Sequence, residues 1–330
     1  MNSRRRRQLL LAFLLILLAA GLFLSLIEGP VDTGFQDLWD FIFRGNETYA
    51  TIFIHIRLSR AVLALLVGAS LSLSGAILQG YFQNPMAGPF VVGVSSGASF
   101  GAVLALFLGL DMHFIGLSVQ SLLAFASGFV LVSAVWLLSQ KKGVFKVETL
   151  LLTGIAAGAL ASSLTSFLIF LKSESFEQAV FWLLGSFALS DWVHIRAIMP
   201  YVILCFIAAQ WLAKDMNLLA LGDETAQSLG CSVDRVRKVF LVVATLLAAA
   251  SVSVSGIIGF VGLIVPHWVR LIIGPDNRFL FVFSSLTGAV FLIYSDLLAR
   301  TLLFPTELPI GIITAAVGAP FFILLLNQRR

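Results

Sequence analysis

Charge is what this 330-residue chain has least of. Asp, Glu, Lys and Arg make up 12% of it, against 59% hydrophobic residues. A soluble domain carries about a quarter charged residues, and so few cannot cover a water-exposed surface without leaving large apolar patches. A soluble, disordered or fibrous protein is therefore excluded. Cysteine is scarce too: Cys205 and Cys231 are the two present, expected mid-span and in an inner loop, so no disulfide framework is built. His55, His113, His194 and His267 show no metal-ligand spacing. There is no G-x-x-x-x-G-K-[ST] loop, so this chain does not bind ATP in the usual way. No Ser/His/Asp order, His-Glu-x-x-His motif or pair of carboxylates occurs within the apolar stretches, which leaves an intramembrane enzyme poorly supported. Ionisable groups near a membrane midplane are also missing. Asp296, Arg300 and Glu307 come nearest, towards one end of their span. A proton- or sodium-coupled carrier usually keeps an acidic relay at the midplane, because charge there is costly and therefore functional.

What is present is length in apolar runs. Ala61–Leu110 and Val239–Val269 contain no Asp, Glu, Lys or Arg. Each span needs about 20 apolar residues, and runs such as Leu9–Ile27 are apolar all round rather than alternating, which favours helices over a membrane β-barrel. Spans are expected at 9–27, 61–82, 90–109, 114–138, 149–171, 192–213, 236–256, 258–271, 279–300 and 308–327, making one polytopic domain over 1–330. With the N-terminus inside, fifteen of the 21 Lys and Arg residues fall on the inner side and six on the outer. That bias places both termini inside. The net charge of +4 is the sum of two unlike faces, and gives no reason to expect a nucleic-acid partner. Arg4–Arg7 and the run after them have the form of a signal peptide's first regions, but the run is a full span long and reads as an uncleaved first helix.

Ala69-Ser-Leu-Ser-Leu-Ser-Gly75 recurs as Ala250-Ser-Val-Ser-Val-Ser-Gly256, and a proline follows each glycine ten residues on, at Pro85 and Pro266. The copies fall in the second and seventh spans and run in opposite directions, as in the inverted repeats of transporters. Their small residues suit close helix approach. The same holds in span five (Gly154, Ala157, Gly158, Ala161, Ser162, Thr165) and span ten (Gly311, Thr314, Ala315, Gly318), where the reading is either tight packing or a wall lining a pathway. Gly259, Gly262 and Pro266 interrupt the short eighth span, either as an ordinary kink or as a broken helix of the kind buried in protein or lining a cavity.

If transport is active, its energy must come from another chain. Lys214–Lys238 is the longest polar inner loop. Within it Gly222 and Gly230 bracket a short helix-like stretch with acids at its start, where the helix dipole favours them. It is either a solvated loop or a docking helix for a cytoplasmic motor.

Four stretches then carry a resemblance. They are Arg57-Leu-Ser-Arg60 leading into Leu66-Val-Gly-Ala69 and Ser74-Gly-Ala-Ile-Leu-Gln79; Asn84-Pro-Met-Ala-Gly-Pro89 with Gly93-Val-Ser-Ser-Gly-Ala98; Ala220-Leu-Gly-Asp-Glu-Thr-Ala-Gln-Ser-Leu-Gly230 continuing to Gly259-Phe-Val-Gly-Leu-Ile-Val-Pro-His267; and Glu307-Leu-Pro-Ile-Gly311 with Gly318-Ala-Pro320. The chain resembles the FecCD-type permeases, membrane subunits of ABC importers for iron–siderophores, haem and cobalamin. The resemblance implies an all-α type II importer permease fold with ten helices and a pathway at the two-fold axis of a permease dimer, a homodimer in the first instance. It implies two ATPase subunits that bind the ATP and magnesium, a substrate-binding protein above, and no cofactor in this chain. It implies a multi-pass subunit of a prokaryotic inner membrane. By position, Leu221, Gly222, Asp223, Glu224, Thr225, Ala226, Gln227, Ser228, Leu229 and Gly230 look like the segment that fits the ATPase. Arg57, Arg60 and Arg300 look like outer residues that pair with glutamates of the binding protein. The fifth helix and the short helix after it, 150–171 and 176–186, look like the pathway lining, with Gly154, Gly158, Ser162 and Thr165 facing it and a gate at Lys146, Val147, Glu148 and Thr149. Two departures stand out: Gly88 occupies a position usually acidic, and Val147-Glu148 precede Thr149 where relatives carry small hydroxyl residues.

The expected mechanism is alternating access, with the docking helix passing motor closure to spans five and ten. Siderophore complexes rank first as cargo, then haem, then cobalamin. An ATP-independent channel or proton-coupled carrier, and a structural or signalling subunit, are the competing classes.

Overall fold

The computed structural model describes residues 3–29, 33–44, 49–114, 116–141, 144–145, 147 and onward to 327. Lys146, one of the expected gate residues, lies outside them. The first long helix is α1 (Ser3–Ile27), followed by a short amphipathic helix α2 (Phe35–Arg44). Helix α3 (Thr51–Tyr81) begins with eight residues in π-helical geometry, Thr51–Leu58. Then come α4 (Val94–Phe107), a two-residue hairpin β1–β2 (His113–Phe114, Leu117–Ser118), α5 (Val119–Leu138) and a second hairpin β3–β4 (Gln140–Lys141, Val144–Phe145). Next are α6 (Val147–Leu171), the short α7 (Phe176–Leu184) and α8 (Trp192–Trp211). Two small helices, α9 (Ala213–Leu219) and α10 (Asp223–Ser228), precede α11 (Val233–Ser255). The chain ends with α12 (Val261–Ile273), α13 (Asn277–Thr301) and α14 (Ile310–Asn327).

Seven of these helices are long and apolar enough to cross a membrane, and α4, α12 and α14 are shorter apolar helices. Together they follow the order of the ten expected spans. Residues of α3, α11 and α13 are mostly buried (78%, 72% and 72% of their apolar windows), whereas only 17–28% of those of α1, α5, α6 and α8 are buried. These three helices thus form the interior with the buried faces of α4 and α12 against them, and α1, α5, α6 and α8 present apolar side chains outward, as lipid allows.

Glycine sets the closeness of that interior. A Cβ on Gly68 would overlap the Gly288 carbonyl, and one on Gly75 the Gly262 carbonyl, so α3 lies backbone to backbone against α13 and α12. Directions follow from the pairing. Ser74 Oγ donates to the Ala244 carbonyl at 2.7 Å, and the Arg237 guanidinium lies 5.6 Å from the Tyr81 ring centre. Seven residues on along α3 is therefore seven back along α11, and the helices carrying the two heptads are antiparallel neighbours.

Each copy is a long helix followed by a short apolar one that starts from a left-handed residue, Gly93 (φ +93°) before α4 and Phe260 (φ +67°) before α12. The heptads differ at their final glycine. Gly75 continues inside α3, while Gly256 (φ +67°) ends α11. The prolines are not equivalent either: Pro85 lies in the connection before α4, and Pro266 inside α12. The eighth span is broken before α12, at residues 256–260, rather than at Gly262 or Pro266.

Candidate functional site

The segment expected to meet a motor forms a knob. Helix α10 is flanked by Gly222 (φ +97°) and Gly230 (φ +87°). Both lie in the left-handed region that costs an L side chain roughly 1–2 kcal/mol. Leu221, Asp223, Glu224, Thr225, Gln227, Ser228, Leu229 and Gly230 are exposed, Gly222 is half-buried, and Ala226 is the buried anchor. Two exposed leucines, one at each end of a polar helix, make a short apolar-tipped ridge.

The ridge is tied down on several sides. Asp223 pairs with Arg237 of α11 at 2.7 Å. Gln83 Nε2, just beyond α3, donates to the Leu219 carbonyl at 2.7 Å, and Met216 packs on Gly80. The strongest tie is to α13. Asn217 Oδ1 accepts from the backbone N–H of Asn277 at 2.9 Å and from its Nδ2 at 2.8 Å, while Asn217 Nδ2 donates to Asp276 Oδ1 at 2.8 Å. Asp276 also caps α13 through the Arg278 N–H and pairs with the Arg278 guanidinium at 2.7 Å. These bonds, led by that from the Arg278 side chain, hold the Asp276 carboxyl at about 2, below its ordinary 3.8. Its stabilising charge is fully present above 3.8 and is lost as pH falls through about 2, so the group stays ionised across the physiological range. The hydrogen bonds described for α9 and α10 run to the end of α3, to α11 and to α13, not to the fifth and tenth spans expected to receive the motion.

At the opposite face the expected binding-protein arginines are not at the surface. Arg57 and Arg300 are each 2% exposed, and Arg60 is buried as well. Arg60 makes a fork to Asp296 (Nε and Nη2 to the carboxylate oxygens, 2.9–3.0 Å) and reaches Glu307 at 2.8 Å. Arg300 lies 3.6 Å from Asp296 and donates to the Ser25 carbonyl at 3.3 Å. Arg57 Nη1 donates to the Leu26 and Ile27 carbonyls at 2.6 and 2.7 Å. Rather than facing outward, the three side chains are engaged inside the chain, where they join α1, α3, α13 and the α13–α14 connection. Buried charges survive when paired and hydrogen-bonded in this way, and α3 carries Arg57 and Arg60 within its length rather than beginning after them.

The expected pathway residues divide between two faces of α6. Gly154 and Gly158, four apart, are buried against Val91–Val92 and Ser96, and Thr165 is buried on the same side with its hydroxyl bonded to the Ala161 carbonyl. They form the packing face towards α4, so a bulky side chain at Gly158 would separate helices rather than plug a passage. Ser162 is exposed at the rim of that face, 3.2 Å from Ser96 Oγ. Ser163, Leu164, Ser166 and Phe167 look outward. Val147 opens α6, Glu148 is exposed and Thr149 half-buried. Helix α14 packs its glycines elsewhere, Gly311 on the Leu184 carbonyl at the end of α7 and Gly318 on the Phe260 side chain beside the break.

Residue reading missed α2, whose Phe35, Trp39 and Phe43 are exposed on one side, and the Asn217–Asp276–Asn277 set. The spacing of four between those aromatics was the available signal for the first; Asp276 as a cap residue just before a helix was the only one for the second.

The chain matches the FecCD transport family over residues 16–328. It is 46% identical to the cobalamin import system permease protein of Halobacterium salinarum, over 86% of this chain and 75% of that one. It is 38% identical to the Fe(3+) dicitrate transport system permease protein FecD of Escherichia coli, over 97% and 99%. Among solved structures, an inward-facing metal-chelate type ABC transporter covers 97% of this chain and 99% of its own, with a TM-score of 0.85 and 33% identity.

Proposed function

The chain belongs to the FecCD transport family, and on that premise we propose that it is the permease of an ATP-driven importer whose cargo is a ferric chelate. One observation carries the coupling to a motor: the exposed α10 ridge, set by two left-handed glycines and fastened to the interior helices. The hydrolytic work belongs to two ATPase subunits, which hold the ATP and magnesium; this chain needs no cofactor of its own. A second copy completes the translocation unit, and a substrate-binding protein delivers cargo to the face opposite α10. The excess of Lys and Arg on the α10 side supports placing that side, with both termini, in the cytoplasm of a prokaryotic cell. The outward side of α6, with Ser162, Ser163 and Ser166, is the surface proposed to line the passage.

The second reading of cargo is cobalamin, favoured by the 46% identity to a cobalamin permease. Reconstituting the permease with its ATPase and binding protein in liposomes decides between them. Radiolabelled ferric hydroxamate, ferric citrate, haem and cobalamin are offered separately. Accumulation of a ferric chelate that needs both ATP and the binding protein is expected. Accumulation of cobalamin alone establishes the second reading, and flux through the chain without an ATPase contradicts both.

A further inference from the structure

We propose that Asn217, Asp276 and Asn277 form a latch that passes motor motion from the docking helix into α13, so that α13 moves against α6 when nucleotide binds. The inference rests on the permease reading above and concerns the step that follows docking.

The geometry is specific. One side chain on α9 makes three hydrogen bonds to residues 59 and 60 positions away. Its carbonyl oxygen takes two donors from Asn277, and its amide nitrogen gives one to Asp276. Asn277 is almost wholly buried, so its backbone N–H has no water to turn to. Helix α9 leads into α10 through the three residues Ala220, Leu221 and Gly222, too short a link for the ridge to move far without α9. The partner end is equally stiff, because Asp276 is the N-cap of α13. A push on the ridge is thus delivered to the first turn of a 25-residue helix whose other end carries Asp296 and Arg300. Helix α6 packs on α4 rather than on the latch, so it serves as the reference against which the motion is read.

The bonding pattern supplies a direct test of the coupling. In Asn217→Asp the side chain keeps its acceptors, loses its donor and places a second carboxylate beside Asp276. In Asn217→Asp with Asp276→Asn, the asparagine at 276 can donate to the aspartate at 217, and Asn caps a helix about as well as Asp. The swap therefore restores the one bond that the single change breaks, and with Asp276→Asn alone it completes a double-mutant cycle.

Spin labels are placed at Leu164 of α6 and Leu298 of α13, both exposed, and the native thiols Cys205 and Cys231 are buried. Labelled chains are diluted with unlabelled ones in the purified complex, so that distances within one chain are read, with and without ATP and vanadate. The expected result is a nucleotide-dependent shift of about 2 Å, the scale of helix displacements in switching proteins. It should be abolished in Asn217→Asp and regained in the swap, with the ATPase bound in all three. An undiminished shift in Asn217→Asp overturns the proposal. So does the absence of a shift in the unmutated complex, loss of ATPase from Asn217→Asp, or failure of the swap to recover it. If no ATPase accompanies the unmutated chain, the permease reading itself fails, which is a different outcome.

Discussion

Replacing Asp296 with alanine is expected to destabilise the protein by about 3–5 kcal/mol, the cost of removing one partner from a buried ion pair. Asp296 sits between two guanidinium groups, Arg60 on the neighbouring helix and Arg300 one turn along its own. Arg60 retains Glu307, but Arg300 is left with the Ser25 carbonyl in a site that is 2% exposed. Apparent melting temperature in mild detergent, followed by loss of the monodisperse species, measures the effect. The contrast is informative. Changing the group as a whole, Arg60→Met with Asp296→Leu, Arg300→Met and Glu307→Leu, removes the charges together and should cost far less than the single change, because apolar replacements of a complete buried set are often neutral. A single Asp296→Ala variant as stable as the parent would show that this network does not hold α3, α13 and the end of α1 together.

Gly68→Val is expected to be at least as damaging. The methyl groups would enter the space of the Gly288 carbonyl and the Ala289 backbone, which lies 3.1 Å from even the first added carbon. Overpacking usually costs 1–3 kcal/mol, and here the obstacle is backbone inside the bundle, with no rotamer to move aside. We expect a loss of about 3 kcal/mol or more by the same measure. Gly88→Ala is the control, since its added carbon would meet Leu263 at an ordinary 3.6 Å. Equal behaviour of the two variants would remove the close crossing of α3 and α13 from the account.

How far the sequence alone reached follows from the kinds of signal it holds. The docking helix was legible because its cues are local: two glycines eight residues apart and acids at the start of the first turn. The order of spans was legible because apolar run length is local as well. The buried placing of Arg60 was not legible because its carboxylate partners lie 236 and 247 residues away. A charge beside an apolar run looks like a span boundary until its partner is known. Gly154 and Gly158 read in the sequence as small residues of either a packing face or a pathway wall, because composition does not name the neighbour; in the fold they lie against Val91–Val92 and Ser96. The latch was invisible for the same reason as the ion network, since nothing in Asn217 distinguishes it from any polar residue at a helix turn.

The central claim is that an ATPase engages the α10 ridge, and tagged chain drawn from native membranes in mild detergent tests it most directly. An ATPase at about one copy per permease should accompany the unmutated protein, and Leu221→Asp with Leu229→Asp should abolish that association while leaving the permease folded, because both side chains are exposed and unpacked. A chain that purifies alone even after cross-linking, or a double variant that keeps its ATPase, would contradict the account.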